Sequence, residues 1–274
     1  MPELPEVETI KNELTPYVSG RRVTDVTLLW DGIIKEPSAE EFCSRVIGQE
    51  ITSIARRGKY LIVRLSRGDV LILHLRMTGS LLIGQNLPEG PPRFTRAIIS
   101  LDNETNIFFR DPRKFGLMRL VKDESSVVGK LGPEPLEADF TPQLLAQRVA
   151  KRAAPIKALL CDQGIIAGVG NMYADEALFA GGIHPLRTGE SLSQKEVERL
   201  HAAILQTLWT ALNHKGASVN TYFRPDGTLG MAQIEFKVAH QRGGKSCPVC
   251  GTPIERMVVR NRGTYFCPKC QPVP

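Results

Sequence analysis

The chain has 274 residues, a length that suits one or two domains, and 42% hydrophobic with 23% charged residues is an ordinary globular composition. No apolar run approaches the roughly 20 residues that a membrane helix requires, and the acidic N-terminus lacks a secretory signal pattern. These features predict a cytoplasmic protein without membrane contact. The net charge of +6 suits a polyanionic partner, although a solvated basic surface is an equal interpretation.

The first half of the chain combines one helix with many short strands. Residues 4–18 carry apolar side chains at helical spacing up to Gly20, which predicts a first helix. From 21 to about 121, short apolar runs alternate with turn signals, which predicts an antiparallel sandwich or barrel. The polar stretch 122–140 contains several Gly and Pro residues and is interpreted as a linker.

Helices dominate the second half of the chain. Pro142 is typical of a first helical position, and the patterns of 155–163 and 171–181 indicate two further helices. A capping box that begins at Ser193 opens a longer helix, which we expect to end at Gly216. The residues that follow show little periodicity and predict loops.

These elements divide the chain into four parts. We predict a strand-rich domain over 1–121, the linker over 122–140, a helical domain over 141–245 and a cysteine module over 246–274. The fold class is therefore α+β and multidomain, with an N-terminal antiparallel β-sandwich or barrel flanked by helices.

The cysteine module contains two C-x2-C pairs on a short segment. Its four cysteines are Cys247, Cys250, Cys267 and Cys270. Such pairs on a hairpin supply the four thiolates of a tetrahedral zinc site. Because all four ligands come from the protein, we predict one structural Zn²⁺ ion with no position open for catalysis. Cys43 and Cys161 lie in apolar stretches and are interpreted as buried free thiols.

The amino terminus carries a possible nucleophile. Pro2 follows the initiator methionine, and a small second residue permits removal of that methionine. A free α-amino group has a pKa of about 8, against about 10.4 for lysine, so more of it is nucleophilic near neutral pH. Attack on a sugar C1′ would give a cationic iminium, and Glu3 and Glu6 could move protons beside it. Proline is common here and acidic residues favour helix starts, so a structural role stays open at this point.

The opening MPELPEVET, followed by a helix, resembles the N-terminus of the formamidopyrimidine-DNA glycosylases, which excise oxidised purines and nick the strand. Further motifs match this family in order along the chain, and they begin at Arg57, His74, Arg110, Leu131, Ile156 and Gly168 before the cysteine module. The resemblance implies a bifunctional glycosylase and abasic-site lyase that nicks by β,δ-elimination. It also implies a helix–two-turn–helix domain, a β-hairpin zinc finger and a lesion-capping loop at about 217–237.

The resemblance also implies catalytic roles residue by residue. Pro2 corresponds to the Schiff-base nucleophile and Glu3 to its acid–base partner, while Glu6 supports the site from the first helical turn. Lys59 matches the lysine tied to β-elimination. Arg262 matches the zinc-finger arginine that binds phosphate around the lesion and assists the final elimination.

Other residues are implied to contact double-stranded DNA that carries oxidised bases or abasic sites. Met77, Arg113 and Phe115 match the side chains that fill the space of an extruded base, although Met77 and Phe115 alone would suggest core packing. The further implied contacts are His74, Lys114, Lys157 and Asn171. The expected state is a monomer that associates with the nucleoid through DNA.

The chain departs from the family pattern at three places. Phe94 and Arg96 stand where histidines are usual, Ala153 lies in a thinned basic run, and 231–242 is one residue longer than usual. The third departure adjoins the capping loop and leaves lesion preference open. The alternatives are an enzyme of the endonuclease VIII type, which acts on oxidised pyrimidines, and a non-catalytic zinc-containing DNA-binding protein.

Overall fold

The computed structural model describes residues 1–85, 90–219 and 221–273. The chain forms two compact units, an N-terminal unit of 1–130 with 214–231, and a C-terminal unit of 131–213 with 232–274. Segment 214–231 therefore belongs with the strands, although we predicted it within the helical domain. The cysteine module lies in one unit with the helices.

The described residues of the N-terminal unit form two β-sheets and three α-helices. The helices are α1 (Leu4–Val18), α2 (Ala39–Val46) and α3 (Ser125–Val128). The strands are β1 (Val23–Leu28), β2 (Ile34–Glu36), β3 (Ile51–Arg57), β4 (Tyr60–Leu65), β5 (Val70–His74), β6 (Ser80–Gly84), β7 (Thr95–Leu101), β8 (Asn106–Arg110) and β9 (Leu117–Val121). Helix α3 lies within the predicted linker, and α2 interrupts the region that we predicted as strands.

The two sheets form the predicted β-sandwich. One sheet has the strand order β1-β7-β8-β6 and is antiparallel throughout. The other has the order β2-β9-β5-β4-β3, in which β2 runs parallel to β9 and the remaining pairs are antiparallel. Side chains of both sheets share one buried core, for example Leu61 and Leu73 with Ile99 and Phe109. Burial of these apolar faces is the main force that stabilises the unit.

Helix α1 forms for the reason that its sequence suggests. Its apolar stripe is buried in the core of the sandwich, with Val7, Ile10 and Leu14 at most 2% exposed. A reciprocal capping box between Glu3 and Glu6 satisfies backbone donors at its start. The chain leaves the helix through Gly20, whose φ of +73° suits glycine.

The C-terminal unit, where the structure describes it, contains four further α-helices and a β-hairpin. These elements are α4 (Pro142–Val149), α5 (Ile156–Leu160), α6 (Asn171–Ala180), α7 (Gln194–Asn213), β10 (Glu255–Val259) and β11 (Arg262–Phe266). Helix α5 is shorter than predicted, and α7 ends before the expected Gly216. The hairpin turns at Arg260 and Asn261, whose φ values of +45° and +64° are those of a type I′ turn. No helix among the described residues is long and apolar enough to cross a membrane.

Candidate active site and nucleic-acid contacts

Pro2, Glu3 and Glu6 lie together at the start of α1. All three are buried, with Glu3 2% and Glu6 1% exposed. The Glu3 amide donates to Glu6 Oε2 at 2.7 Å, and the other half of the capping box runs from the Glu6 amide to the Glu3 side chain. Glu6 Oε1 accepts a hydrogen bond from the Ala217 amide at 2.8 Å. The helix start and segment 214–231 are thus joined through one carboxylate.

Gly216 allows this close approach. Its φ is +77°, and a Cβ at this position would stand 2.9 Å from Glu6 Cγ. A side chain is therefore excluded both by the backbone conformation and by the neighbouring carboxylate. Nearby, Tyr222 donates to the Lys215 carbonyl at 3.1 Å. Burial, together with the charges of Glu6 and Glu13, raises the pKa of Tyr222, so its hydroxyl stays protonated.

Lys59 lies in the turn between β3 and β4 and is 6% exposed. Arg56 ties this turn to α1, since its Nε lies 2.7 Å from Glu8 Oε2 and its Nη1 donates to the Gly58 carbonyl at 2.9 Å. Within the described residues, no hydrogen bond or ion pair is made by the Lys59 ammonium. Burying a charge without a partner costs free energy, so the Lys59 side chain does not stabilise the fold through its charge.

His74 is buried, with 7% of its surface exposed. Its Nδ1 accepts a hydrogen bond from the Arg76 amide at 2.9 Å. Its ring packs against Tyr60 in an edge-to-face arrangement, with 4.5 Å between the ring centroids. Burial, together with the charges of Arg76 and Lys59, lowers the pKa of His74 to about 3. The imidazole is therefore neutral, and because Nδ1 accepts, its proton lies on Nε2. Such a ring can donate one hydrogen bond to a phosphate but brings no charge.

Met77, Arg113 and Phe115 form one exposed cluster, which we call the exposed triplet. Met77 and Phe115 are each 47% exposed, which excludes the core packing that each alone would suggest. The Arg113 guanidinium lies 4.5 Å from the Phe115 ring centroid, and its Nη1 lies 3.6 Å from Met77 Sδ. Lys114, between them in the chain, has a φ of +60° and places its ammonium 5.3 Å from the Trp30 ring centroid.

Segment 214–231 is held against the sandwich at several points. Arg224 Nη2 lies 2.7 Å from Glu13 Oε1, and the Ile83 amide donates to the Pro225 carbonyl at 2.9 Å. Thr221 donates to the Met77 carbonyl at 3.3 Å. The expected capping loop at 217–237 is therefore divided, because its residues from 232 onward belong to the C-terminal unit. Asn220 of this loop lies outside the described residues.

In the C-terminal unit, Lys157 differs from the expectation of a DNA contact. It is fully buried, and its Nζ lies 2.5 Å from Asp175 Oδ1 and 2.5 Å from the Asn171 carbonyl oxygen. Asp175 Oδ2 also accepts a hydrogen bond from the Tyr265 amide at 3.2 Å. Lys157 thus joins α5 to α6 and, through Asp175, to the hairpin, which corrects the interpretation of this ammonium as a direct contact.

Asn171 and Arg262 lie where the start of α6 contacts the hairpin. Asn171 Nδ2 donates to the Gly263 carbonyl at 2.8 Å, while its buried Oδ1 makes no hydrogen bond to any described residue. Arg262 is exposed and opens β11 directly after the hairpin turn. An exposed arginine beside a helix start is a suitable arrangement for binding phosphate.

The four clustered cysteines fit a zinc ion. Their Sγ atoms all lie within 4.8 Å of one another, with 3.8 Å between Cys247 and Cys270 and 3.4 Å between Cys250 and Cys267. Zinc–sulfur bonds of about 2.3 Å in a tetrahedron place the sulfurs about 3.8 Å apart. These cysteines hold one structural zinc ion, as predicted. Of the other two cysteines, Cys161 is buried, whereas Cys43 is only half-buried.

The unusual segment 231–242 is anchored on α6 by a residue that sequence reasoning missed. The buried carboxylate of Glu176 accepts the amides of Lys237 at 2.8 Å, Val238 at 2.9 Å and Ala239 at 2.6 Å. Burial raises the pKa of Glu176, and the three amides oppose that rise. Two other missed residues, Asp111 and Thr78, lie beneath the exposed triplet. Arg96, noted above only as a departure from the family pattern, donates to the Asp111 and Pro112 carbonyls.

Three family models match successive parts of the chain. The formamidopyrimidine-DNA glycosylase N-terminal domain matches residues 1–118, and the formamidopyrimidine-DNA glycosylase H2TH domain matches 131–222. A zinc finger found in FPG and IleRS matches 244–273.

Named relatives and solved structures resemble the chain over nearly its full length. The formamidopyrimidine-DNA glycosylase of Symbiobacterium thermophilum is 44% identical over 100% of this chain and 90% of its own. That of Geobacillus kaustophilus is 43% identical over 99% of this chain and 100% of its own. A mutant Lactococcus lactis FPG bound to Fapy-dG-containing DNA has a TM-score of 0.92 at 32% identity, covering 99% of this chain and 100% of that chain. The MutM (FPG) protein from Thermus thermophilus has a TM-score of 0.88 at 38% identity, covering 98% of both chains.

Proposed function

Because the chain belongs to the formamidopyrimidine-DNA glycosylase family, we propose that it excises oxidised purines from duplex DNA and then cleaves the strand as an abasic-site lyase. The substrates of this proposal are 8-oxoguanine and ring-opened formamidopyrimidines. The observation that carries it is the first turn of α1. There a proline that becomes the terminus on loss of Met1 is buried beside two carboxylates held by a capping box.

In the proposed first step, the Pro2 nitrogen attacks C1′ of the damaged nucleotide. The nitrogen–carbon bond forms as the glycosidic bond breaks, and the base leaves with the bonding electron pair and gains a proton. The nitrogen loses its own proton. The C1′–O4′ bond then breaks, O4′ keeps the electron pair and takes up a proton, and the nitrogen–carbon double bond of a cationic iminium forms. Glu3 is the proposed proton carrier, because its carboxylate lies directly beside the nucleophile in the chain and is buried.

The iminium then makes strand cleavage possible. It accepts electrons when the C2′ proton is lost, so the 3′ phosphate leaves; a second elimination expels the 5′ phosphate. Lys59 is proposed to serve the first elimination, and its buried ammonium without a partner among the described residues supports this role. Arg262 is proposed to bind a phosphate near the lesion and to assist the second elimination.

The proposed DNA contacts follow from exposure and charge. The exposed triplet would fill the space left by the extruded base, since apolar side chains can replace a base in the stack. His74, Lys114 and Asn171 are proposed to contact phosphates, and the net charge of +6 favours such a partner. We propose that the protein acts as a monomer in the cytoplasm, associated with the nucleoid through DNA.

Borohydride trapping of a covalent protein–DNA adduct tests the nucleophile. A preparation that keeps Met1 has the Pro2 nitrogen in an amide bond, so it should give no adduct with 8-oxoguanine duplexes. The matched control is the same preparation after treatment with methionine aminopeptidase, which should give an adduct whose peptide maps to the N-terminus. Trapping by the chain that still carries Met1, verified by intact mass, would refute the mechanism.

A panel of lesion duplexes tests the substrate. We expect excision and strand cleavage at 8-oxoguanine and formamidopyrimidine paired with cytosine, read on denaturing gels. A stronger reaction with oxidised pyrimidines would instead support an endonuclease VIII type activity. Binding of every duplex without cleavage would support the non-catalytic alternative.

A further inference from the structure

A buried carboxylate lies directly beneath the exposed triplet. Asp111, at the end of β8, is 1% exposed. Its Oδ2 accepts the amides of Phe115 and Gly116, each at 2.7 Å, and its Oδ1 accepts the amide of Arg113 at 3.1 Å. Two of the three side chains of the exposed triplet therefore stand on backbone that this single carboxylate holds.

The same carboxylate reaches the loop that carries the third side chain. Asp111 Oδ1 also accepts a hydrogen bond from the hydroxyl of Thr78, the residue after Met77. Both loops turn tightly around it. A Cβ added to Gly79 would stand 2.4 Å from a backbone oxygen, and one added to Gly116 would stand 2.6 Å from the Phe109 ring. Asp111 is thus a shared acceptor for the loops 75–79 and 111–116.

Arg96 supports Asp111 from the neighbouring strand β7. Its Nε donates to the Asp111 carbonyl at 2.8 Å, and its Nη2 donates to the Pro112 carbonyl at 3.4 Å. The Asp111 amide donates in turn to the Phe94 carbonyl at 3.0 Å. The guanidinium of Arg96 donates to these two carbonyls through adjacent N–H groups in one plane. The two nitrogens of an imidazole point away from each other, so a histidine at 96 could not donate to both carbonyls in this way.

We propose that Asp111, supported by Arg96, is a positioning residue that holds the exposed triplet in the shape required to replace an extruded base. This inference rests on the proposed function, since the triplet matters only if a base leaves the stack. Asp111 itself touches no substrate. It acts on the extrusion step, so a duplex that already lacks the base should depend on it far less.

The test compares two substrates for each variant. Asp111→Asn keeps the shape but replaces one acceptor oxygen by an NH₂ group, so at least one set of loop contacts is lost. We expect kcat/KM on an 8-oxoguanine duplex to fall on the order of 10²-fold, the effect of a small misplacement. On a duplex with a pre-formed abasic site, the rate of incision and the yield of the borohydride-trapped adduct should change by no more than roughly twofold.

Position 78 provides a matched pair in case Asp111→Asn folds poorly. Thr78→Val removes the hydroxyl at nearly constant volume, whereas Thr78→Ser retains it. Thr78→Val should show the same substrate-selective loss in weaker form, and Thr78→Ser should restore excision. Fluorescence of a 2-aminopurine beside the lesion should show a slower extrusion phase in Asp111→Asn and Thr78→Val.

Ile51→Val in β3 controls for general destabilisation. In the sheet, β4 and β5 lie between β3 and β9, the strand that directly follows the loop 111–116. The ratio of lesion to abasic activity of this variant should equal that of the unaltered protein. The inference is overturned if the Asp111 and Thr78 variants lose both activities equally, or if they keep full excision. Failure of the unaltered protein to trap an abasic duplex would be a different result, against the proposed function itself.

Discussion

Lys59 and Lys157 are both buried, with 6% and 0% of their surface exposed, but their surroundings differ. The Lys157 ammonium lies 2.5 Å from Asp175, which offsets much of the cost of burying its charge. The Lys59 ammonium makes no ion pair with any acidic residue that the structure describes. Such an arrangement does not stabilise the fold, which supports the role proposed for Lys59 in the first elimination.

His74 gives a prediction at the scale of a single residue. Burial lowers its pKa to about 3 in the folded protein, whereas an unfolded histidine has a pKa of about 6.5. As the pH falls, the unfolded chain therefore binds a proton first, and stability is lost below about pH 6.5. We expect the NMR signals of the His74 ring in the folded protein to stay constant between about pH 8 and pH 5.

The unfolded protein in urea provides the reference for this measurement, and His74→Gln provides the control. The variant should show a weaker decrease in the free energy of unfolding below about pH 6.5, because it has no imidazole to protonate. A His74 signal that titrates near its ordinary pKa in the folded protein would contradict the prediction.

At the scale of secondary-structure elements, the same carboxylates serve the helix and the site. Glu3 and Glu6 cap α1, and Glu6 also holds segment 214–231 through the Ala217 amide. A helix N-terminus favours negative charge, so the positions that stabilise α1 are also those that place acidic groups beside Pro2. Local stability and proposed chemistry therefore require the same residue types here.

The ion pair between Lys157 and Asp175 gives a prediction at this scale, because it joins α5, α6 and β11. Lys157→Met should lower the free energy of unfolding by about 3–5 kcal/mol, since it leaves a buried carboxylate without its cation. The double variant with Asp175→Leu should recover part of that loss. Urea denaturation followed by circular dichroism measures both.

The control for this series is Lys195→Met at an exposed position of α7, which should change the free energy of unfolding by no more than about 0.5 kcal/mol. If Lys157→Met behaves like this surface control, the ion pair does not hold the three elements together.

At the scale of the whole molecule, the β-sandwich and the cysteine module depend on different forces. The N-terminal unit has a large apolar core between its sheets. Around the cysteines, the buried cluster is small and includes only a few apolar side chains, among them Phe179, Val238 and Ile254. So small a core does not order a segment of this length, and zinc supplies the missing free energy.

Cys247→Ser should therefore release zinc and remove hydrogen-exchange protection over 246–272, while the strands of the sandwich keep theirs. Binding to duplex DNA should weaken, because Arg262 and Asn171 depend on the hairpin. Cys43→Ser is the matched control, since it makes the same chemical change at a half-buried thiol outside the cluster. It should retain zinc and binding. Equal loss of protection in the cysteine module and in the sandwich would contradict this independence.

Helix α2 and segment 214–231 show why some elements could not be predicted. In α2, only Phe42 and Val46 are buried, which is too little for a helical pattern to stand out between strands. Segment 214–231 belongs to the N-terminal unit through bonds to residues far away in the chain, such as the one from Ala217 to Glu6.

The sequence by itself determined the features that depend on short spacing: the apolar stripe and capping box of α1, the strands of the sandwich, the paired cysteines and the motifs of the family. Only the tertiary structure decided that Lys157 is buried, that His74 is neutral and that Asp111 joins two loops. The reason is physical. Periodicity and capping act between residues a few positions apart, whereas burial and shared hydrogen bonds depend on segments that meet only after the chain has folded.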